Sequence, residues 1–334
     1  MHKLGPRGIW LMLGAALASL ALVAPVHAAT FMTFDPPGSV RTTTLGINGG
    51  AIVGYDEDGN GARHGFLRAA DGTFTAFDPA GSQYTNPSSI NGGGAIAGYY
   101  EDANSVAHGF VRAAGGTISA FDLLGSIGTF ALGINKGAAI AGTYIDSQYF
   151  YHGFVRAADG TFTTFDPPGS AGTQAWSISD GGKIVGFYND SNIYVRGFVR
   201  KADGLFIAFD APGSIATQAL SINGDGAIAG TYQTSDLKFH GFVRAANGTF
   251  ATFDPRGSAG TFPQGIDAKG VVTGYYYDRG SVTHGFVRRA DGTIRRLDPP
   301  GSILTNPQSI DTQGAIAGEY EDSSDVYHGF LRSP

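Results

Sequence analysis

One block of residues returns along this chain at a constant interval, and that interval restricts the fold more than any composition does. The block is clearest from His152 to Ser170, HGFVRAADGTFTTFDPPGS. Its histidine recurs at His64, His108, His240, His284 and His328, with Arg196 at the one step that lacks it, and every step is 44 residues. The aspartate that closes the block's last apolar run, Asp166, recurs at Asp78, Asp122, Asp210, Asp254 and Asp298, with a further copy near the start at Asp35. Self-similarity at such a period predicts a repeat architecture in which each copy is one supersecondary unit.

One unit reads as four strands. From Thr217 to Pro255, Gln218–Ile222 is a strand candidate closed by Asn223-Gly224-Asp225-Gly226, and Ala227–Tyr232 is a second. After a variable polar loop, Phe239–Arg244 is a third, turned by Asn247-Gly248, a dipeptide suited to the positive φ angles of a tight hairpin. Thr249–Phe253 is the fourth, ended by Asp254-Pro255, since proline cannot donate to a strand ladder. In Phe162-Thr163-Thr164-Phe165 the rings are three residues apart and face opposite sides of a strand, as a sheet packed between two neighbours requires.

Four antiparallel strands in 44 residues predict an all-β fold, a seven-bladed β-propeller. The chain begins with a fourth-strand copy, Thr30–Pro36, and stops after a third-strand copy, His328–Arg332. The N-terminal strand is therefore expected to pair with the C-terminal blade and close the ring. A β-solenoid is the alternative, but it would need shorter coils and atypical capping repeats. The first unit has Asn48-Gly49-Gly50 where the second has Asn91-Gly92-Gly93-Gly94, which accounts for the single 43-residue step from Asp35 to Asp78.

Residues 1–28 have another character. Lys3 and Arg7 precede an apolar run, Ile9–Val23, then Pro25 and Val26-His27-Ala28-Ala29, the pattern of a signal peptide cleaved after Ala28. The run is shorter than the roughly 20 residues that span a bilayer, so no membrane span is expected after cleavage. Residues 29–334 are expected to be one propeller, secreted or held in the periplasm or cell envelope. Cysteine is absent, which excludes disulfides, thiol chemistry and a lipid anchor on cysteine. Beyond residue 28 there are 20 basic and 28 acidic side chains, a formal charge of −8, so the basic footprint that nucleic acid needs is missing.

Ser-Ile-Asn, Gly-Ala-Ile-Ala-Gly and His-Gly-Phe-Val-Arg together resemble the bacterial extracellular repeats of the HAF family, with Gly in place of the family's central Ala. The resemblance covers essentially all of residues 29–334. It implies an exported, propeller-like repeat protein and transfers no catalytic residue.

Six histidines, His64, His108, His152, His240, His284 and His328, are repeat residues and are expected to be hydrogen-bonded within each blade. Metal or proton-transfer roles are the alternative, but equivalent positions in different blades do not converge on one point. Arg68, Arg112, Arg156, Arg200, Arg244, Arg288 and Arg332 recur in every unit and are expected to pair with the repeat aspartates as blade-building residues.

The loop after the second strand carries a Tyr-x-Asp series: Tyr100 and Asp102, Tyr144 and Asp146, Tyr188 and Asp190, Tyr276 and Asp278, Tyr320 and Asp322, broken by Tyr232 and Thr234. The residues that follow diverge freely, as on a binding surface built on a rigid scaffold. Tyrosine beside aspartate suits contact with a sugar or a protein. The plainer reading is an aspartate that caps its own turn. Asp56, Asp58 and Asn60 match the start of a calcium loop, but Leu67 stands where its bidentate glutamate belongs, leaving calcium a weak candidate and no other cofactor. No nucleophile elbow, zinc-protease helix or phosphate loop is present.

The function expected from these features is a non-enzymatic binding module that presents variable loops on one face to a glycan or protein. The alternative is a lyase or hydrolase of an extracellular polymer with its site at the central channel; Trp176, Lys183, Arg196 and Thr234 break the repeat but form no recognisable catalytic constellation in the sequence. A structural envelope protein is the third possibility.

Overall fold

A computed structural model describes residues 30–334 of the chain; the expected signal peptide, residues 1–28, lies outside the described residues. The regular structure there is 28 strands, β1 to β28 in chain order, with no helix. No helix among the described residues is long and apolar enough to cross a membrane.

The third repeat shows how a unit is assembled. β10 (Ser126–Ile134), β11 (Ile140–Asp146), β12 (Tyr151–Arg156) and β13 (Phe162–Phe165) pair antiparallel in that order. Gly142 sits in β11 because a Cβ there would stand 2.1 Å from the Phe130 carbonyl oxygen on β10. The turn after β12 is closed by the Gly160 N–H on the Ala157 carbonyl, with Gly160 at φ +93°. In the equivalent turn, Gly248 alone takes positive φ while the Asn247 side chain accepts the Thr249 N–H at 3.0 Å. The expected two-residue hairpin is thus a longer turn, because Asn247 uses its side chain to cap rather than its backbone to bend.

The other repeats follow the same order, and the first two are joined by one parallel pairing, Arg63 with Tyr84. β1 (Phe31–Phe34) adds to the last sheet beside β28 (Tyr327–Arg332), from Phe31 opposite Arg332 to Phe34 opposite Gly329. The expected pairing of the two ends is present. β2 (Arg41–Asn48) of the first sheet packs on β26 (Ser302–Ile310), β27 (Ile316–Asp322) and β28 of the last.

Packing between sheets explains the period. Phe154 is fully buried and meets Phe121 of the preceding repeat edge-on at 6.3 Å, and Phe162 at 6.0 Å. The phenylalanine after each repeat glycine, Phe66 through Phe330, is buried in the same way. Each such side chain contributes about 1.5–3 kcal/mol. The Asn135 side chain donates to the Ser179 carbonyl one repeat on, fastening neighbouring turns together.

Every first strand has a β-bulge at one shared step, for example between Ala131 and Gly133. A bulge re-aims the extra residue. Here it turns Leu132 and its counterparts onto a single cavity lined by all seven first strands.

Candidate functional site

Two features of the fold hold the chemistry: the face formed by the loops after the second and fourth strands, and the cavity between the first strands.

On the loop face, each repeat histidine holds the aspartate after its fourth strand and faces the residue that caps the loop after the second, an aspartate in five cases and Thr234 beside His240. His152 Nδ1 lies 2.7 Å from Asp166 Oδ2, and its Nε2 lies 3.3 Å from Asp146 Oδ2. The Tyr144 ring stacks on the imidazole at 5.0 Å, and Thr173 donates its hydroxyl to the other Asp166 oxygen at 2.5 Å. His64, His108, His240 and His328 make the same 2.7 Å contact with Asp78, Asp122, Asp254 and Asp35, and His284 makes it with Asp298 at 3.1 Å. Arg196 reproduces the bridge with both arms, Nε to Asp190 at 2.8 Å and Nη1 to Asp210 at 2.6 Å. The expected within-blade bonding of the histidines is therefore observed, and the substitution by Arg196 keeps it.

These contacts set the charge. The hydrogen bond to Asp78 raises the His64 pKa. Burial opposes ionisation of His152 and His328, but the bonds to their aspartates outweigh it and both are raised. Asp146 is held below the usual carboxylate range by the Phe150 and Gln148 N–H groups and by His152, and Asp190 chiefly by Arg196.

The repeat arginines do not pair with the repeat aspartates. Arg156 lies at the far end of β12 from His152, about 13 Å along the strand, while Asp166 sits beside His152. Arg156 instead lies over the Phe121 ring at 4.9 Å; Arg68, Arg112, Arg200, Arg244 and Arg288 lie likewise over Phe34, Phe77, Phe165, Phe209 and Phe253. For Arg332 the equivalent position is Leu297. Desolvation lowers the pKa values of the buried Arg68, Arg112 and Arg288 and of the half-buried Arg200, Arg244 and Arg332.

The Tyr-x-Asp residues make bonds within the framework as well, while Tyr276 and Asp278 also line an open hollow. Tyr100, Tyr188, Tyr276 and Tyr320 are buried and Tyr144 is half-buried, and burial raises the pKa of the first three and of Tyr144. Asp146 Oδ1 caps its own turn through the N–H groups of Gln148 and Phe150, at 2.8 and 2.9 Å, and Asp102, Asp190, Asp278 and Asp322 do the same. Asp58 takes this capping role in the first repeat, on the N–H groups of Asn60 and Ala62, while Asp56 occupies the tyrosine position opposite His64. Burial raises the Asp56 pKa. Among the described residues no three metal-binding side chains gather at one point, the calcium candidates included.

What these turns display is the residue three places after the capping position, an aspartate in six repeats and Thr234 in the fifth. It is Gly61 in the first repeat, at φ +82°, and Ser105, Ser281 and Asp325 in others. In three consecutive repeats it is Tyr149, Ile193 and Leu237, held at φ +67°, +67° and +66° with 78%, 78% and 67% of the side chain exposed. A β-branched residue at such φ is strained. The sequence shows the divergence but not the backbone angle.

Beside them lie two equivalent grooves. One, of about 390 Å³, is lined by Phe150, His152, Asp166 and Ser170; the other, of about 220 Å³, by Tyr194, Arg196, Asp210 and Ser214, 44 residues on at each position. A third hollow, of about 540 Å³, is lined by Arg256, Tyr276, Asp278, Arg279 and Arg296.

The cavity between the first strands measures about 480 Å³. The bulge residues Leu132, Trp176 and Leu220 give it an apolar sector, and Ser88, Gln264 and Gln308 a polar one interrupted by Leu45. Arg63 is the one charged side chain on its lining. Glu319, on β27, is buried with Asn306 donating to one of its carboxylate oxygens, and desolvation raises its pKa. Of the four repeat-breaking residues, Trp176 alone lines this cavity; Lys183 lies in a small hollow between sheets and Arg196 and Thr234 lie on the loop face.

No protein-family model matches the chain, and no curated protein sequence does. Solved structures are similar to it. The β-propeller domain of the Trilobed protease from Pyrococcus furiosus is 12% identical at a TM-score of 0.64, over 88% of this chain and 95% of that one. The BP39L lectin from Burkholderia pseudomallei is 11% identical at 0.57, over 88% and 96%. Pyrococcus horikoshii acylaminoacyl peptidase is 11% identical at 0.59, over 88% of this chain and 52% of that one. At these identities the likeness shows the fold, a β-propeller.

Proposed function

We propose that this chain is an exported, non-enzymatic binding module of the HAF-repeat type, a seven-bladed propeller closed by its end strands, and that its loop face takes a polysaccharide. One observation carries the functional reading. Two equivalent grooves stand in consecutive repeats, each with a ring, a basic side chain and a carboxylate, flanked by exposed apolar residues held in strained backbone. Strained residues cluster at functional sites, and here bulky apolar side chains occupy a turn position that holds Gly61, Ser105, Ser281 or Asp325 in the other repeats. A site repeated at a fixed spacing suits a ligand that is itself repetitive, and two modest sites on one scaffold gain from multivalency. The partner is read as a glycan because planar rings beside paired carboxylate and donor groups match the CH faces and hydroxyls of sugars. A lectin among the similar folds is compatible with this reading.

The polymer-cleaving alternative has weaker support. Acid–base cleavage of a glycan uses a pair of carboxyl groups, and the cavity lining carries only Arg63.

Retardation of the full chain in native gels containing different polysaccharides tests the proposal. At least one polymer should retard it. Phe150→Ala and Tyr194→Ala should each weaken binding about tenfold, the equivalent of about 1.4 kcal/mol of lost stacking. Unchanged retention in both variants, or no retention by any polymer, would overturn it.

A further inference from the structure

The loop grooves repeat, but the cavity between the first strands does not, and its asymmetry points to one particular ligand chemistry. We propose that the cavity is a separate site for a single carboxylated sugar unit, a hexuronate.

The framework makes the cavity and the bulges fill it. At one shared step, seven repeats place seven side chains on the same space, and nothing in strand pairing dictates their identity. Three consecutive repeats contribute Leu132, Trp176 and Leu220 and the first contributes Leu45; the polar contributions, Ser88, Gln264 and Gln308, come from the remaining three. The cavity therefore offers an apolar wall and a hydrogen-bonding wall to the same ligand. Its volume falls in the range of about 300–1,000 Å³ that small-molecule pockets span.

Trp176 supplies the flat surface. It stacks on Phe187 at 6.3 Å with the planes 21° apart, yet is 39% exposed where it lines the cavity. A pyranose presents its CH groups on one face and its hydroxyls at its edge, the two chemistries that the walls provide.

Arg63 supplies the charge. Equivalent positions hold Ala107, Tyr151, Val195, Phe239, Thr283 and Tyr327, so the arginine belongs to no repeat requirement. Its guanidinium lies 5.1 Å from the Tyr55 ring and 5.4 Å from the Tyr84 ring, its Nε is buried without a hydrogen-bond partner, and the nearest carboxylate, of Glu57, is 3.8 Å away. A planar cation with free donors, and no carboxylate on the lining, selects a carboxylate geometrically as well as electrostatically.

Trp176 and Trp10 are the two tryptophans of the chain. In full-length protein carrying Trp10→Phe, Trp176 becomes the sole fluorescent indole and reports directly on the cavity. Glucuronate and galacturonate should change its emission saturably at millimolar concentration, whereas glucose, galactose and benzoate should not. Arg63→Gln should raise the apparent Kd at least tenfold while circular dichroism stays parental and the melting temperature falls by no more than about 4 °C, the cost of the lost ring contacts. Tyr194→Ala should leave the response intact, which separates this site from the grooves. An equal response to the neutral sugars would overturn the carboxylate assignment, and an equal response to benzoate the sugar assignment. No saturable response to either uronate would overturn the site, while polysaccharide retention sensitive to Tyr194→Ala would still stand.

Discussion

Replacing Tyr149, Ile193 and Leu237 together by glycine should make this protein more stable and less able to bind. All three sit at φ near +67°, where a side chain costs about 1–2 kcal/mol relative to the right-handed region. Glycine removes that cost but returns about 0.5–1 kcal/mol through the freedom of the unfolded chain. The net gain is about 0.5–1 kcal/mol per site, with little packing lost because the side chains are mostly exposed. Gly61 already occupies the same turn position in the first repeat, so the backbone accepts the change. The sites lie in separate repeats and should add, to about 2 kcal/mol in all. At about 2–4 °C per kcal/mol, the melting temperature should rise by roughly 4–8 °C. Thermal unfolding followed by circular dichroism reads this, with polysaccharide retardation measured on the same sample. A triple variant that melts at or below the parent would refute the strain argument, and one that melts higher but binds as before would detach strain from function.

Three further outcomes follow from the framework. The folded-state pKa values of His64, His152 and His328 are raised, so their ion pairs stabilise fully below the unfolded value of about 6.5 and lose that contribution as pH rises through the folded values; the melting temperature should fall between about pH 6 and pH 8. His152→Arg, copying Arg196, should flatten that slope, and a slope unchanged by the substitution would count against the histidine bridge as its source. Phe154→Ala should cost about 3–5 kcal/mol in denaturant unfolding, since the ring is fully buried between Phe121 and Phe162. Arg156→Met should cost about 0.5–1 kcal/mol through the lost cation–π contact with Phe121, and full stability in that variant would refute the contact's role.

The period carried most of the fold because one unit cannot bury both faces of its sheet alone. The spacing of Phe162 and Phe165 already required neighbours on either side, and the extra copy of the aspartate at Asp35 already placed β1 beside the last sheet. Polar pairing was less legible. Arg156 and Asp166 recur together in sequence, but the position of each along the strand decides its partner, and His152 rather than Arg156 stands at the aspartate's end. The tyrosines before the capping aspartates read as contact residues, but the sequence does not show that strand pairing stacks Tyr144 on the His152 imidazole. The cavity ring was hidden because a bulge shifts strand alternation by one residue, and alternation alone cannot say that Trp176 leaves the pleat.

The pairing of β1 with β28 also dictates an order of events. The two strands are separated by almost the whole chain, and closing so long a loop in an unstructured polymer costs about 5 kcal/mol. Once the intervening sheets have stacked, the ends already lie together and that entropy has been spent piecemeal on local hairpins. The first strand made is thus the last to find its place, and until it does β28 presents a bare edge that a β1 from another molecule could equally fill. Dilution during refolding should therefore favour the monomer, and crowding should favour chains linked by exchanged first strands.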